Sequence, residues 1–307
     1  MSDQTATTAS PAAAAKTRPF YWSVRRELWE NRAIYLAPLA VAGVVLFGYL
    51  ISLHALPRAV RMIGAGAPMT KGELGRNMFV LLAPQFTPAA ILVTALIVGV
   101  FYSLASLHAE RRERSVLFWK SLPVSDRTTV LSKAFVPLVI LPPVVFVTML
   151  ATQALMLGVS SAVIAASGLD PAVLWSRLQT PAAMVGGLAY GLVILSLWYA
   201  PVVGWLMLVS AWAKRMTFLW GVAPPLVLCL FEAMAFRTHY AWDLLHSRLV
   251  DGLAAFTVGG KGAAPIHDLS QVDATPFLTH PGLWGGLVFA AAALAACVWL
   301  RRRNDPI

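Results

Sequence analysis

Residues Met78 to Leu107 read MFVLLAPQFTPAAILVTALIVGVFYSLASL, and they run directly into His108 to Lys133, HAERRERSVLFWKSLPVSDRTTVLSK. The first stretch holds no Asp, Glu, Lys or Arg. A helix rises about 1.5 Å per residue, so roughly 20 apolar residues cross a hydrocarbon core about 30 Å thick. Met78 to Leu107 therefore reads as a membrane-spanning helix. The second stretch is the densest island of charge in a chain with only 12% charged residues, and another apolar run follows it. A soluble domain spreads its charges over its whole surface. Confining them to a short connector between spanning runs marks a cytoplasmic loop made for contact.

The same pattern repeats outward in both directions. Over 307 residues the chain is 58% hydrophobic with a mean hydropathy of +0.70, which leaves too little polar side chain to cover a globule. Six spans emerge: Ala33 to Leu53, Met78 to Leu107, Ala134 to Leu157, Gly186 to Ala211, Phe218 to Phe236 and Leu283 to Leu300. No useful length alternates apolar and polar residues as a membrane barrel strand does, so the fold class is all-α and polytopic. Residues 1–17, rich in Ala, Thr and Ser, lack the apolar core of a signal peptide and read as a disordered cytoplasmic tail. Residues 301–307 form the other tail.

Lys and Arg set the orientation. With both termini inside, the cytoplasmic segments hold sixteen of them and the opposite side eight, an excess that favours this topology in a bacterial inner membrane. The net charge of +10, distributed by membrane side, reads as attraction to anionic lipid headgroups and not to nucleic acid. Trp22, Trp29, Trp119, Trp212, Trp284 and Trp299 fit interfacial aromatic belts. Cys229 and Cys297 both fall inside spans as packing residues.

Between the tail and the first span, Arg18 to Arg32 reads as an amphipathic helix opened by Pro19. Phe20, Tyr21, Val24 and Leu28 share a face, while Arg25, Arg26, Glu30 and Arg32 lie elsewhere. Such a helix rests in the interface with its aromatic side toward acyl chains. Prolines at 84, 88, 137, 142, 143, 201, 224 and 225 interrupt the spans, where neighbouring helices must satisfy the carbonyls they free. The spacings Gly187 to Gly191 and Gly282 to Gly286 permit close helix approach.

Motifs for chemistry are missing. No phosphate-cradling GxxxxGK[ST], HExxH or GxSxG pattern occurs, and no Cys or His cluster has structural zinc spacing. The chain is not read as an enzyme and carries no cofactor of its own. Glu232 is the ionisable residue inside a span, a candidate for a proton relay or substrate contact. It also lies one turn from the external end, where it would reach water or Arg237. In the external loop 237–282, His239, Asp243 and His246 fall on one face if HYAWDLLHSRLVDGL is helical, which is permissive for a metal. The alternative is an interfacial or re-entrant helix.

Within the charged loop 108–133, Glu110 to Leu122 is helix-permissive with Phe118 and Trp119 at its tip. Pro123 ends that helix, and Ser125 or Asp126 can cap the next. An exposed apolar and basic element of this kind needs a partner or the headgroup layer. The run ERRERSVLFWKSLPVSDRTTVLSK, from Glu110 to Lys133, resembles the loop between the second and third spans of bacterial permease subunits in the ATP-binding-cassette (ABC) type-2 exporter family. The likeness rests on Glu110, Arg111, Arg112, Ser115, Leu117 through Asp126, and Leu131 to Lys133. It extends more loosely to the six-span layout, the N-terminal helix and the long loop before the last span.

The resemblance implies a coupling helix that docks in a cleft of a separate ATPase subunit and transmits its closure. It also implies two ATPase subunits binding ATP and Mg, together with a second copy of the permease or a homologous one. Arg111, Arg112, Arg114, Phe118, Trp119 and Lys120 are then the expected contacts, with Ser121, Leu122, Pro123, Ser125 and Asp126 shaping the turn. Two other classes stay open: an ion-coupled secondary transporter, which needs repeats and midplane ionisable groups, and a membrane scaffold that assembles another complex.

Overall fold

The computed structural model describes residues 18–64, 71–112, 125–172, 181–251 and 275–303. All regular structure among them is helical. Helix α1 is Pro19–Glu30, α2 Ala33–Ser52, α3 Leu56–Gly64, α4 Lys71–Ala105 and α5 His108–Arg112. Helix α6, Asp126–Phe135, passes through a π-turn at Val136–Ile140 into α7, Leu141–Ala166. Then come α8 Pro181–Trp212, α9 Thr217–Ala235, α10 Tyr240–His246 with a π-turn at Ser247–Asp251, α11 Thr275–Leu278 and α12 Pro281–Arg303. Six helical stretches are long and apolar enough to cross a membrane. The protein is a multi-pass all-α membrane protein.

The six spans read from the sequence agree in number with these six stretches, but several helices outrun the apolar runs. Helix α4 begins at Lys71 and α6 at Asp126, well before the apolar runs that mark them in the sequence. Hydropathy reports only the part of a helix that lies in hydrocarbon, whereas the backbone hydrogen-bond ladder continues into polar residues. The tails at 1–17 and 304–307 lie outside the described residues.

Helix α1 forms as read, with Pro19 at its first turn, yet its faces differ from the expected arrangement. Val24 and Glu27 are buried, Leu28 packs against a core cluster, and Phe20 meets Phe135 of α6 edge to face at 5.3 Å. The outward side carries Tyr21, Trp22 and Trp29, with the Arg25 guanidinium 5.2 Å from the Trp22 ring and 4.5 Å from the Trp29 ring. The aliphatic face therefore docks on the bundle, and the aromatic face stacks on an arginine as interfacial side chains do.

Three proline interruptions are closed from a neighbouring helix. A proline at position i lacks the N–H that would bond the carbonyl of i−4. Pro142 frees the Leu138 carbonyl, and the Ser196 hydroxyl of α8 donates to it. Pro88 frees the Pro84 carbonyl, which accepts from Gln153 Nε2 of α7 at 2.6 Å. Pro225 frees the Gly221 carbonyl, which accepts from Trp205 Nε1 of α8 at 2.9 Å. Each of these bonds ties two spans together.

Helices α8 and α12 pack most extensively of all pairs. They approach closely at Gly204, where a Cβ would stand 3.1 Å from the Ala290 Cα. Helix α9 is the outlier: Gly221 is its one buried residue, and its large apolar side chains face outward.

Candidate functional site

At the end of the bundle that carries both described termini, charged side chains from four elements converge out of solvent. Glu27 sits three residues from Val24 and so shares the inward face of α1. It is only 1% exposed. Its Oε1 accepts from Lys133 Nζ of α6 at 2.8 Å and from its neighbour Arg26 at 2.9 Å. Its Oε2 accepts from the Tyr102 hydroxyl of α4 at 3.0 Å. Lys133, 3% exposed, reaches Glu110 of α5 at 3.2 Å as well.

Glu110 is shared further. Arg26 contacts its Oε1 at 3.2 Å and Arg301 of α12 its Oε2 at 2.6 Å. Arg301 also donates to Asp126 at 3.0 Å. Among the described residues, ion pairs thus link the carboxylates of Glu27, Glu30, Glu110 and Asp126 with the cations of Arg26, Lys133 and Arg301. Burial opposes the Arg26 charge, yet its hydrogen bond to Glu27 and the charges of Glu27, Glu30 and Glu110 hold the guanidinium above its usual value. Burial pushes the Glu30 carboxyl up, against the pull of Arg26.

Helix ends place several of these groups. Asp126 opens α6, where the free backbone N–H groups favour a carboxylate, and Arg301 lies in the last turn of α12, where the carbonyls favour a cation. Ser125 is the cap of α6: its backbone is extended and its Oγ accepts from the Thr128 N–H at 3.1 Å. The choice between Ser125 and Asp126 is thereby decided. On the other side of the loop, Ser210 Oγ accepts from the N–H groups of Leu107 and His108, both at 3.0 Å. Arg111 donates to the Ala211 carbonyl near the end of α8.

These contacts root both ends of segment 113–124 in the bundle. Arg114, Phe118, Trp119, Lys120, Ser121, Leu122 and Pro123 lie outside the described residues. Of the remaining expected contacts, Arg112 is exposed, whereas Arg111 is only 9% exposed and directed at α8. Arg111 therefore anchors the loop and does not present a surface charge. Sequence reasoning missed the inward role of Glu27 and Arg301. The signal for Glu27 was available, since it is a carboxylate on the same helical face as Val24.

At the opposite end, Glu232 caps α10. Its Oε1 accepts from the Thr238 hydroxyl at 2.7 Å and the Tyr240 N–H at 2.8 Å, and its Oε2 from the Ala241 N–H at 2.6 Å. Its carboxylate is engaged in folding the segment after the span, and Arg237 is not its partner among the described ion pairs. The helix expected over His239 to Leu253 starts at Tyr240 and turns into a π-turn after His246. His239 is the cap residue, its carbonyl accepting from the Asp243 N–H at 2.8 Å, and Asp243 and His246 follow within the helix. No group able to hold a metal ion occurs among the described residues.

No family model, no curated protein and no solved structure matches the chain.

Proposed function

We propose that this chain is the membrane-spanning permease subunit of an ATP-driven exporter of the ABC type-2 kind. In this reading a separate pair of ATPase subunits binds ATP and Mg, and a second permease completes the translocation path. The single observation that carries the proposal is the buried ionic node at the base of segment 113–124. A loop that only anchored the protein to headgroups would need no such foundation. A loop that transmits force needs its two ends fixed to the helices it moves.

The node meets that requirement. Glu110 holds the leaving end of the loop and Asp126 with Lys133 the returning end, while α1 and α12 are joined to both. Displacement of the loop by a closing ATPase would carry α1, α6 and α12 together and bias the packing of the spans. The π-turn at Val136–Ile140 lies just above the node, where a locally loosened ladder lets α7 respond. In a secondary carrier Glu232 would be expected to titrate within the path, and its capping of α10 weighs against that alternative.

The test is the Phe118→Ala, Trp119→Ala double variant in the full chain. Copurification of the ATPase subunit and transport-coupled ATP hydrolysis are expected to fall together. Unchanged copurification and unchanged hydrolysis would overturn the assignment.

A further inference from the structure

Leu92, Ala95, Leu96 and Gly99 recur on α4 at i, i+3, i+4 and i+7, and all four border one apolar cavity of about 70 Å³. Its other walls also follow the length of helices. The π-turn and the start of α7 contribute residues from Pro137 to Val145, and α8 contributes residues from Leu192 to Leu206. At about 1.5 Å per residue these walls measure about 12 Å on α4, about 12 Å through the π-turn into α7, and about 21 Å on α8. The cavity is therefore a narrow, partly open cleft drawn out along three spans.

Its ends place it in the membrane. Leu92 stands at the middle of the apolar run Met78 to Leu107, and Val100 stands two residues before Tyr102, which donates to Glu27 of the ionic node. Pro137 lies one turn beyond Lys133 of the node. Leu206 lies one turn before Ser210, which holds the start of the charged loop. All three walls thus run from just above the node toward the middle of the bilayer. One leaflet of a hydrocarbon core about 30 Å thick is about 15 Å deep, a length between those of the shorter and longer walls.

The lining decides what can enter. Its two polar side chains are already engaged: the Ser196 hydroxyl donates to the Leu138 carbonyl, and the Tyr199 hydroxyl to the Leu249 carbonyl at 2.6 Å. A water would need two to four polar partners, so the cleft accepts hydrocarbon instead. A compact apolar cavity of about 150 Å³ takes one benzene ring. About half that volume, drawn out over two turns or more, leaves no width for a ring or a branched chain. A helix of a partner protein, about 10–12 Å across with its side chains, is excluded by the same narrowness.

We propose that this cleft holds one unbranched acyl chain of a membrane lipid, taken from the leaflet on the side of the ionic node. The chain lies along α4, α7 and α8, with its methyl end at the level of Leu92. It fills the space beside the π-turn and so braces the element that joins the node to α7. The site goes beyond the exporter reading and does not depend on it, since it requires only the packing of three spans.

The experiment places the full chain in vesicles of diphytanoyl phosphatidylcholine, whose chains are methyl-branched. A trace of phosphatidylcholine with a straight palmitoyl chain, bearing a diazirine toward its methyl end, is the probe. After irradiation the labelled residues are mapped by mass spectrometry. Helix α9, whose large apolar side chains face outward, reports ordinary contact with bulk lipid. Labelling per residue is expected to be at least about ten-fold higher along 92–100 and 192–206 than along α9, a difference in occupancy that corresponds to about 1.4 kcal/mol. Replacing part of the branched lipid by unlabelled dipalmitoyl phosphatidylcholine, at constant probe fraction, is expected to abolish the excess and leave α9 unchanged.

Ala95→Leu, which fills the cleft from α4, is expected to lower labelling of the cleft about ten-fold with α9 unaffected. Labelling of the cleft no higher than that of α9 overturns the proposal. So does an excess that the straight-chain lipid fails to compete away, or one that Ala95→Leu leaves intact. If Ala95→Leu fails to fold, Gly99→Ala decides, because its Cβ would stand 3.3 Å from Leu141 Cδ2 and narrows the cleft between α4 and α7. A several-fold loss of labelling then supports the site, and unchanged labelling refutes it.

Discussion

Glu27→Gln removes one negative charge from the centre of the ionic node and changes almost nothing in shape. Glu27 is 1% exposed and Lys133 3% exposed, so the lysine cannot recover its lost partner from water. Breaking a buried ion pair from one side costs about 3–5 kcal/mol, because the remaining charge is left uncompensated. Here Lys133 keeps Glu110 at 3.2 Å, and the glutamine still offers a carbonyl oxygen. The expected loss is therefore at the lower end, about 3 kcal/mol. A domain of this size shifts its melting point by about 2–4 °C per kcal/mol, which places the variant about 6–12 °C below wild type.

The assay is survival of the monodisperse peak on size exclusion after heating the full chain in mild detergent. Glu30→Gln is the control, since Glu30 is 55% exposed on its side chain and meets Arg26 at 3.4 Å. Its expected shift is under about 2 °C. In the double variant Glu27→Gln with Lys133→Met, the lysine that lost its Glu27 partner is gone and Glu110 retains Arg26 and Arg301. About half of the loss is expected to return. A Glu27→Gln shift no larger than that of Glu30→Gln, or penalties that simply add in the double variant, would refute the argument that these charges depend on one another.

Three further outcomes follow from the packing. Gln153→Leu leaves the Pro84 carbonyl without its donor and is expected to cost about 1–3 kcal/mol in the same melting assay; in a Pro88→Ala background, where the backbone N–H returns, the loss is expected to shrink, and equal losses in both backgrounds would disprove the clamp. Gly204→Val places a side chain 3.1 Å or less from the Ala290 backbone and is expected to cost about 1–3 kcal/mol by forcing α8 from α12. Gly43→Ala, with nothing within 4 Å, is expected to leave the melting point unchanged or slightly raised.

The six spans were legible because hydrocarbon imposes one requirement on every residue that crosses it, and Met78 to Leu107 meets that requirement without reference to any other part of the chain. Helix α1 was legible for the same local reason, through Pro19 and a four-residue apolar spacing. Its orientation was not. Which face docks depends on what α6 offers, and Phe135 and Lys133 lie more than a hundred residues away. The ionic node was visible only as residue types. Its bonds join Arg26 to Glu110 across 84 positions, Glu27 to Lys133 across 106 and Glu110 to Arg301 across 191.

The polar residues inside the spans nonetheless follow a rule that reaches across the chain. Ser196, Gln153 and Trp205 each stand in an apolar run, where a donor must find an acceptor within the protein. Pro142, Pro88 and Pro225 each strip a carbonyl four residues earlier of its donor. The number of such donors and the number of such carbonyls can both be counted from sequence, and each is unfavourable in lipid on its own. Satisfying them in pairs fixes which helices must be neighbours: α8 with the π-turn, α7 with α4, and α8 with α9. Glu27 and Lys133 obey the same logic with full charges. A carboxylate on an inward helical face and a lysine at the mouth of an apolar run are two halves of one contact, and the fold supplies only the pairing.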